Sequence, residues 1–590
     1  MFGAESCLPV RLFFRIDWSR GAMRIPVKLF LLLLALLGSI CCQENRLNDS
    51  NKDREVAEEY LWWQQAVFYE IYPRSYADTN GDGIGDLNGI TAHLDHLKDL
   101  GVDAIWIAPC FPSPQVDFGY DVSNYKDIAP EYGTLEDFDR LQSEAEKRGI
   151  RIVLDYVINH TSDRHEWFTE SASSRDNPKR DWYVWRDGKG GGRPPNNWLS
   201  IFGGSAWKFN AKTNQYYYHM FYPEQPDLNW RNPEVVAAMH DVLRFWFDRG
   251  VDGFRLDAVD TMFEDPGMHD NPILEGKNQF GGSRQDQSAQ HLIPEMHEAL
   301  RGVRKVADLY DAVLIGETWT SDIESLNAFY GKNSDEIQLP MNFLVATINN
   351  LDASSFRKEI AAANAAVGWP TYVMSNHDIV RSVDRYTPKG ADKSQVAKLL
   401  ATLMMTVRGT PIMYYGEEIA MVNNDPRRVE DVLDPIGKLG WPAFKGRDGV
   451  RTPMQWDNSK NAGFSVRKPW LPVHRDYVTT NVKVQEQNPD SVLNYYKKII
   501  RLRRNSPALL KGEYVALNEG DASVFAYIRE YEGQRILVAL NMSERPQSSS
   551  FSIGSKANIL ISSDPNTPAI VNLKELILEP YQSFVGEVIQ

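Results

Sequence analysis

Short apolar runs that are typical of buried strands alternate with amphipathic helical stretches along most of this 590-residue chain. Strands that alternate with helices favour βαβ units and a parallel sheet. The predicted helices are Ile90–Leu100, Leu135–Arg148, Val235–Arg249 and Val492–Arg504. The predicted strands are Ala66–Tyr72, Ala104–Ala108, Ile152–Tyr156, Gly253–Leu256, Leu314–Gly316, Gln338–Met341, Tyr372–Met374 and Pro411–Tyr414. We therefore predict an α/β protein whose core is an eight-stranded (β/α)8 TIM barrel.

Two breaks in this alternation predict additional domains. Residues 160–225 are rich in Trp, Gly, Pro and Asn with little helical period, which indicates an inserted domain after the third strand. Residues 506–590 change to short alternating runs such as Val524–Ile528, which are typical of a C-terminal antiparallel β domain. The barrel is then formed by residues 64–159 and 226–505.

Three acidic residues each end one of the predicted strand segments. Asp257, Glu317 and Asp378 follow one another at intervals of about 60 residues, which corresponds to one or two strand–helix units. The carboxyl ends of barrel strands carry the active sites of such enzymes, so we expect these side chains to converge. Carboxylates brought together in this way perform acid/base and covalent chemistry on glycosidic bonds. A single acid in such a place would more often be a cap or an ion-pair partner.

Other polar residues are predicted at the same rim. Arg255 precedes Asp257 by two positions, so both side chains point the same way along the strand. A guanidinium beside a carboxylate favours the ionised carboxylate, although a purely structural ion pair would have the same sequence. The other polar groups at this rim are Asp117, Tyr120, Asp155, Asn159, His160 and His377.

The segment Asp78–Asp86 places acidic or amide side chains at alternate positions among glycines. Such a spacing provides hard oxygen ligands for Ca²⁺ or Mg²⁺. It is similar to the first part of an EF-hand loop but lacks the closing Glu at the twelfth position. The alternative is an Asp/Asn/Gly turn that caps the next helix.

The N-terminal residues predict export from the cell. From Met23, a basic stretch precedes the apolar run Leu29–Leu37, which is shorter than the roughly 20 residues that span a membrane. We predict that residues 1–43 are a signal peptide cleaved near Gln43 and that 44–63 are a flexible lead-in, giving a secreted or periplasmic protein. A retained membrane anchor and a lipoprotein are the alternatives. Cleavage would leave Cys110 alone, without an intrachain disulfide.

The net charge of −15 argues against nucleic acid or an anionic membrane surface as a partner, because both favour Lys/Arg-rich surfaces. A neutral substrate such as a small oligosaccharide needs no charge complementarity. The oligomeric state is left open by the sequence.

From about Gln64 onward, the motifs resemble those of the α-amylase family, glycoside hydrolase family 13. The stretches that carry the resemblance, in the family's order and spacing, are Asp155–His160, Gly253–Asp257, Gly316–Glu317 and Ser375–Asp378. Four further stretches resemble the α-glucosidase and oligo-1,6-glucosidase branch of the family, which includes insect maltases. They are Gln225–Asn229, Arg451–Trp456, Pro194–Trp198 and Gly203–Trp207.

This resemblance implies a role for each matching residue. Asp257 would be the nucleophile, Glu317 the general acid/base and Asp378 the stabiliser of the developing cation. Asp117 and Arg451 would form a pair that binds the non-reducing-end glucose. The rest of the implied glucose pocket is Tyr120, His160, Phe202, Arg255 and His377. A structural Ca²⁺ or Mg²⁺ ion would take oxygens from Asp78, Asn80, Asp82, Asp86 and the Ile84 carbonyl, and no organic cofactor is expected.

The resemblance also implies a retaining, exo-acting α-glucosidase that acts on maltose, short maltooligosaccharides and sucrose. In this branch a Val after the nucleophile accompanies α-1,6 activity, so Ala258 favours α-1,4 linkages. Transglycosylases, sucrose isomerases and trehalose synthases keep the same residues and are alternatives. Non-catalytic heavy chains of amino-acid transporters are a further alternative, but they usually lack part of the catalytic set.

Overall fold

Eight parallel strands form the centre of the molecule, in a computed structural model that describes residues 61–589. They pair in chain order and the last pairs with the first, while an isolated parallel bridge between Asn342 and Tyr372 links the sixth to the seventh. The strands are β1 Phe68–Ile71, β2 Ala104–Ile107, β3 Arg151–Val157, β4 Gly253–Asp257, β5 Val313–Gly316, β6 Leu339–Pro340, β7 Thr371–Val373 and β8 Thr410–Tyr414. The predicted TIM barrel is thus confirmed.

The helices of the barrel lie before, between and after these strands. Their N-termini carry the expected caps; for example, Thr134 and Asp137 form a capping box, and Asn232 caps a helix that begins with Pro233. The α-helices associated with the barrel are Trp62–Gln65, Leu87–Ala92, Leu94–Leu100, Leu135–Lys147, Pro233–Phe247, Met296–Asp308, Ile323–Ala328, Phe343–Ala346, Ala353–Ala365, Ser382–Tyr386, Lys393–Thr406, Pro435–Gly440, Val482–Glu486, Val492–Asn505 and Pro507–Lys511.

The single helix predicted at Ile90–Leu100 is instead two helices that meet at His93. The His93 ring bonds the Gly89 carbonyl oxygen at 2.9 Å and packs on Trp456, with 3.7 Å between ring centroids. Because Trp456 lies far along the sequence, the apolar periodicity of this segment does not predict the break.

Between β3 and β4 the chain leaves the barrel and forms a short helix, Glu166–Ser171, and a three-stranded antiparallel sheet. The strands are Trp185–Arg186, Trp207–Asn210 and Gln215–Tyr218. They enclose a small aromatic core that includes Trp198 and Tyr218.

A second excursion follows β4, where the sequence predicted only barrel. It contains the exposed hairpin Ile273–Lys277 with Ser283–Gln285. The Asn197 side chain binds Asn271 through two hydrogen bonds of 2.8 and 2.7 Å, which tie this excursion to the inserted segment. The two excursions therefore form one wall above the barrel.

The C-terminal residues form antiparallel sheets with a separate core, as predicted. Tyr527 bonds Thr406 through its hydroxyl at 2.6 Å and so docks the larger sheet on a barrel helix. The larger sheet contains Glu513–Leu517, Val524–Tyr531, Gln534–Asn541, Lys556–Ser562, Ile570–Asn572 and Ser583–Ile589, and a smaller pair contains Gln547–Ser549 and Leu576–Leu578.

The predicted signal peptide, 1–43, and most of the predicted lead-in, 44–63, lie outside the described residues. Trp62 and Trp63, at the end of that lead-in, belong to a helix. Within residues 61–589, no helix has both the length and the apolar composition that a bilayer span requires. Cys110 is a buried free thiol.

Candidate active site

The three predicted acids lie at one rim of the barrel. Asp257 is the last residue of β4, Glu317 directly follows β5, and Asp378 follows β7. Because the strands are parallel, their carboxyl ends meet on one face, and all three side chains border the same cavity. The convergence expected from the sequence is therefore present.

Arg255 lies at the centre of the carboxylate cluster and has no exposed surface. Its Nη1 atom donates to Asp257 Oδ1 at 2.7 Å and to both Asp155 oxygens at 2.9 and 3.0 Å. Its Nη2 atom lies 2.8 Å from Glu317 Oε2. Because Asp257 and Glu317 contact the same guanidinium, they face the same small volume.

This cluster carries one cation for three carboxyl groups. Burial raises the pKa of Asp257 well above its usual value; the positive charge of Arg255 opposes that rise, and Glu317 and Asp155 add to it. Because these carboxyl groups interact strongly, each step of proton release belongs to the whole cluster and not to one residue. The excess of carboxyl groups over cations favours retention of a proton within the cluster, which a mechanism with one acid and one nucleophile requires.

Asp378, unlike Asp257, is surrounded by several positively charged side chains. Its Oδ1 atom accepts from Arg451 Nη2 at 2.7 Å and from Arg447 Nη1 at 3.3 Å, and Oδ2 lies 3.1 Å from His377 Nε2. Burial by itself would raise the pKa of Asp378, but His377, Arg447 and Arg451 outweigh it and hold that pKa well below its usual value. Asp378 is therefore a stable anion in the site.

His377 connects Asp378 to Glu70 on β1, because its Nδ1 atom lies 2.6 Å from Glu70 Oε1. Burial would lower the pKa of His377, but the two carboxylates raise it to about 9. The ring is therefore positively charged at neutral pH. His160, in contrast, is neutral there, since burial lowers its pKa to about 4.

A cavity of about 510 Å³ opens above these groups, a size that suits a small-molecule ligand. The predicted residues Asp117, Tyr120, His160 and Phe202 lie in its wall beside the three acids. The inserted segment contributes Phe202 and Phe221, so the wall between the two domains is aromatic. Rings of this kind pack against the apolar faces of sugars.

The predicted pair of Asp117 and Arg451 is not formed, and the partner of Asp117 is Arg447. Arg447 Nη2 donates to Asp117 Oδ1 at 2.6 Å, and its Nε donates to Asp434 at 2.8 Å. Arg451 is fully buried, because its Nε donates to the His377 carbonyl oxygen and its Nη2 to Asp378. The charge that faces the cavity at this end therefore belongs to Arg447.

Three of the predicted pocket residues, Arg255, His377 and Arg451, do not line the cavity wall. They lie beneath the acids, where they set the charge and orientation of Asp257 and Asp378. They do not reach the cavity because they are buried inside the barrel, where each guanidinium or imidazole is hydrogen-bonded to carboxylates or carbonyl oxygens.

The sequence-based prediction missed Glu70, Arg447 and Trp319. Glu70 had a signal, because a charged residue within the buried strand Phe68–Ile71 needs a partner inside the barrel. Arg447 and Trp319 follow strands at irregular loop positions, where strand periodicity makes no prediction. Trp319 lines the cavity and donates its indole N–H to Glu317 Oε1 at 3.0 Å.

The predicted metal loop follows β1. Asp78 accepts from the Gly81 and Gly83 amides at 2.7 and 2.8 Å, and Asn80 and Asp82 each accept from the amide two residues on. Asp86 also caps the helix Leu87–Ala92 through Gly89. The carboxylate, amide and carbonyl oxygens of this loop have the chemistry that Ca²⁺ or Mg²⁺ prefers. Within residues 61–589, however, no three His, Cys, Asp or Glu side chains converge as a metal site, so the ligand set stays a prediction.

Comparison with known proteins agrees with this geometry. Residues 70–512 match the family described as alpha amylase, catalytic domain, and residues 514–585 match the maltogenic amylase C-terminal domain. A probable alpha-glucosidase of Rhizobium meliloti (strain 1021) is 45% identical over 495 residues, covering 82% of this chain and 90% of that protein. An oligo-1,6-glucosidase of Parageobacillus thermoglucosidasius is 38% identical over 567 residues, covering 90% and 99%.

Solved structures share the whole architecture. The trehalulose synthase MutB from Pseudomonas mesoacidophila MX-45 superposes with a TM-score of 0.84 at 39% identity, covering 90% of this chain and 100% of that protein. The family match spans most of the chain, and the acids expected of a glycosidase lie together in a cavity at the barrel rim. The chain therefore belongs to the α-amylase family of glycoside hydrolases, glycoside hydrolase family 13.

Proposed function

We propose that this enzyme is a retaining, exo-acting α-glucosidase that releases glucose from the non-reducing end of maltose, short maltooligosaccharides and sucrose. The observation that carries the proposal is the ion pair between Asp117 and Arg447 in the wall of the cavity that the three acids border. This pair bridges the loops after β2 and β8. A pocket bounded in this way suits a chain end and disfavours a strand of polysaccharide that passes through.

In the first step, an Asp257 oxygen attacks the anomeric carbon of the glucose. The bond from this carbon to the glycosidic oxygen breaks, and Glu317 gives its proton to that oxygen as the remaining sugar leaves. Asp378, held as an anion by its cationic neighbours, stabilises the positive charge that develops on the sugar ring. The product of this step is a glucosyl ester of Asp257.

In the second step, Glu317 is a carboxylate and accepts a proton from water. The water oxygen attacks the anomeric carbon, the ester bond breaks, and Asp257 regains its negative charge. Arg255 contacts both carboxylates, so it can compensate the negative charge as that charge moves between them. Two inversions at one carbon give a product with retained α-configuration.

The α-1,4 preference rests on Ala258, the residue that follows the nucleophile. Its side chain lies in the cavity wall, and its backbone takes a left-handed conformation with φ of 48°. A β-branched Val is disfavoured in that conformation, so the small side chain fits the local backbone as well as the predicted substrate.

Chromatographic analysis of the products from maltose, isomaltose, sucrose, trehalose and starch tests the proposal. We expect glucose from maltose faster than from isomaltose, and glucose with fructose from sucrose. Maltodextrins released early from starch would indicate internal cleavage and contradict the exo assignment.

The similarity to trehalulose and isomaltulose synthases favours one second candidate, sucrose isomerisation by the same acids. In that reaction the glucosyl ester of Asp257 would be attacked by a fructose hydroxyl in place of water. The sucrose experiment separates the candidates, because an isomerase yields an isomeric disaccharide as its main product and a hydrolase yields free fructose.

We also propose that the loop Asp78–Asp86 holds a structural Ca²⁺ or Mg²⁺ ion. The support is the donor set of Asp78, Asn80, Asp82, Asp86 and the Ile84 carbonyl, which offers only hard oxygen ligands. Such an ion would stabilise the turn between β1 and the helix Leu87–Ala92, and it has no part in the reaction steps above.

A further inference from the structure

Trp319 is an aromatic residue at the mouth of the cavity, two positions after Glu317. Its side chain borders the cavity together with the three acids, and 40% of its surface is exposed to solvent. Large aromatic side chains are normally more buried than this, and an exposed indole beside a catalytic acid is available to a ligand.

The two oxygens of Glu317 are held in different ways. Oε2 accepts the backbone N–H of Ala258 at 2.9 Å and lies 2.8 Å from Arg255 Nη2, so it faces the nucleophile side. Oε1 accepts at 3.0 Å the indole N–H of Trp319, a side chain that borders the cavity and is partly exposed to solvent. Oε1 is therefore the oxygen placed to exchange a proton with a departing group.

The indole of Trp319 is held in place by stacking on a second aromatic ring, that of Phe343. Its ring is parallel to that of Phe343, with 4.1 Å between centroids and 3° between planes. Phe343 begins the helix Phe343–Ala346 and is 2% exposed, so it is anchored in the barrel. One face of Trp319 is thus covered, and the exposed remainder can pack against a sugar ring.

We propose that Trp319 positions the carboxyl group of Glu317 and provides the stacking surface for the sugar that leaves. This inference rests on the proposed function and adds a residue that orients the acid toward the leaving group and binds the departing sugar. When Glu317 Oε1 transfers its proton to the glycosidic oxygen, the indole N–H fixes the plane of the carboxyl group. In the second step the same N–H stabilises the carboxylate that accepts the proton of water.

The decisive experiment compares two substrates that differ in their need for protonation. Maltose has a poor leaving group that must receive a proton, whereas 4-nitrophenyl α-glucoside has a good leaving group that needs little help. In Trp319→Phe the ring stack on Phe343 persists but the N–H is lost. We expect kcat/KM on maltose to fall about tenfold, as for loss of a hydrogen bond to a charged group, and kcat/KM on the aryl glucoside to change less than about twofold.

The stacking role is tested separately with Trp319→Ala. This variant removes the ring as well, so KM for maltose is expected to rise several-fold above that of Trp319→Phe. An equal KM in the two variants would overturn the stacking role.

Trp62→Phe is the matched control, because Trp62 lies near the amino-terminal end of β1 and its indole N–H has no hydrogen-bond partner. Kinetics on both substrates should be unchanged in this control, and thermal melting should show that every variant is folded. Equal losses on the two substrates in Trp319→Phe, or no loss on maltose, would overturn the positioning role. If the wild-type enzyme cleaves neither substrate, the proposed function itself fails and the inference falls with it.

Discussion

At the scale of single residues, the site is organised by the pairing of each acid with a different number of cations. Asp257 shares the single cation Arg255 with two other carboxylates, whereas Asp378 contacts three cations, His377, Arg447 and Arg451. The sequence predicted the acids because each lies at or after the carboxyl end of a predicted strand, and a parallel barrel brings those strand ends to one rim. It could not predict their charge partners, which depend on loop residues that approach from distant parts of the chain.

Replacement of the nucleophile is the first prediction at this scale. Asp257→Ala should reduce glucose release by at least about 10⁴-fold, because no glucosyl ester can form. Asp252→Ala is the matched control; it lies just before the other end of β4 and pairs with Arg151, so it should lower stability and leave activity in place. Steady-state kinetics on maltose provide the measurement, and near-normal turnover by Asp257→Ala would contradict the nucleophile assignment.

The second residue-scale prediction concerns His377. Its pKa is about 9 in the folded protein and about 6.5 in the unfolded chain, so its contribution is complete below about pH 6.5 and is lost as the pH rises through about 9. The difference in the free energy of unfolding between wild type and His377→Asn should therefore shrink by up to about 3 kcal/mol between pH 6 and pH 10.

Urea denaturation at several pH values measures this difference. His269→Asn is the control, because the His269 side chain is 81% exposed and should give a difference that is small at every pH. A constant difference between wild type and His377→Asn from pH 6 to pH 10 would show that His377 is not held as a cation.

At the scale of secondary-structure elements, buried elements were predictable from the sequence and exposed ones were not. The eight strands were predictable because both faces of each are covered, which produces continuous apolar runs in the sequence. The hairpin Ile273–Lys277 with Ser283–Gln285 was not, because its strands are largely exposed and carry no apolar period. The break at His93 was missed for a different reason, since it depends on a contact with Trp456.

The metal loop supports a prediction at this scale. Excess chelator should lower the melting temperature of the wild-type enzyme by several degrees, because an ion bound only by the folded state adds to its stability. Asp82→Ala, which removes one proposed ligand, should melt at the same temperature with and without chelator. Differential scanning fluorimetry measures both, and a wild-type melting temperature that chelator leaves unchanged would contradict the proposed ion.

At the scale of the whole molecule, the barrel supplies the acids and the two excursions above it supply the walls. Phe202 belongs to the inserted segment and Asp260 to the stretch after β4, and both border the cavity that the barrel opens. The pattern of the barrel was readable from sequence, but the closing contact of Asp117 with Arg447 joins loops that only the complete fold brings together. The predicted export also belongs to this scale, and a secreted protein that begins near Gln43 would support it.

We propose that Asp257, Glu317 and Asp378 act on one sugar by double displacement. Proton NMR of the glucose first formed from 4-nitrophenyl α-glucoside measures the stereochemistry, because this substrate releases a single glucose whose anomers give separate signals before mutarotation mixes them. Retention predicts that α-glucose appears first and that β-glucose accumulates only later. Initial formation of β-glucose would show a single inversion and rule out a glucosyl ester of Asp257.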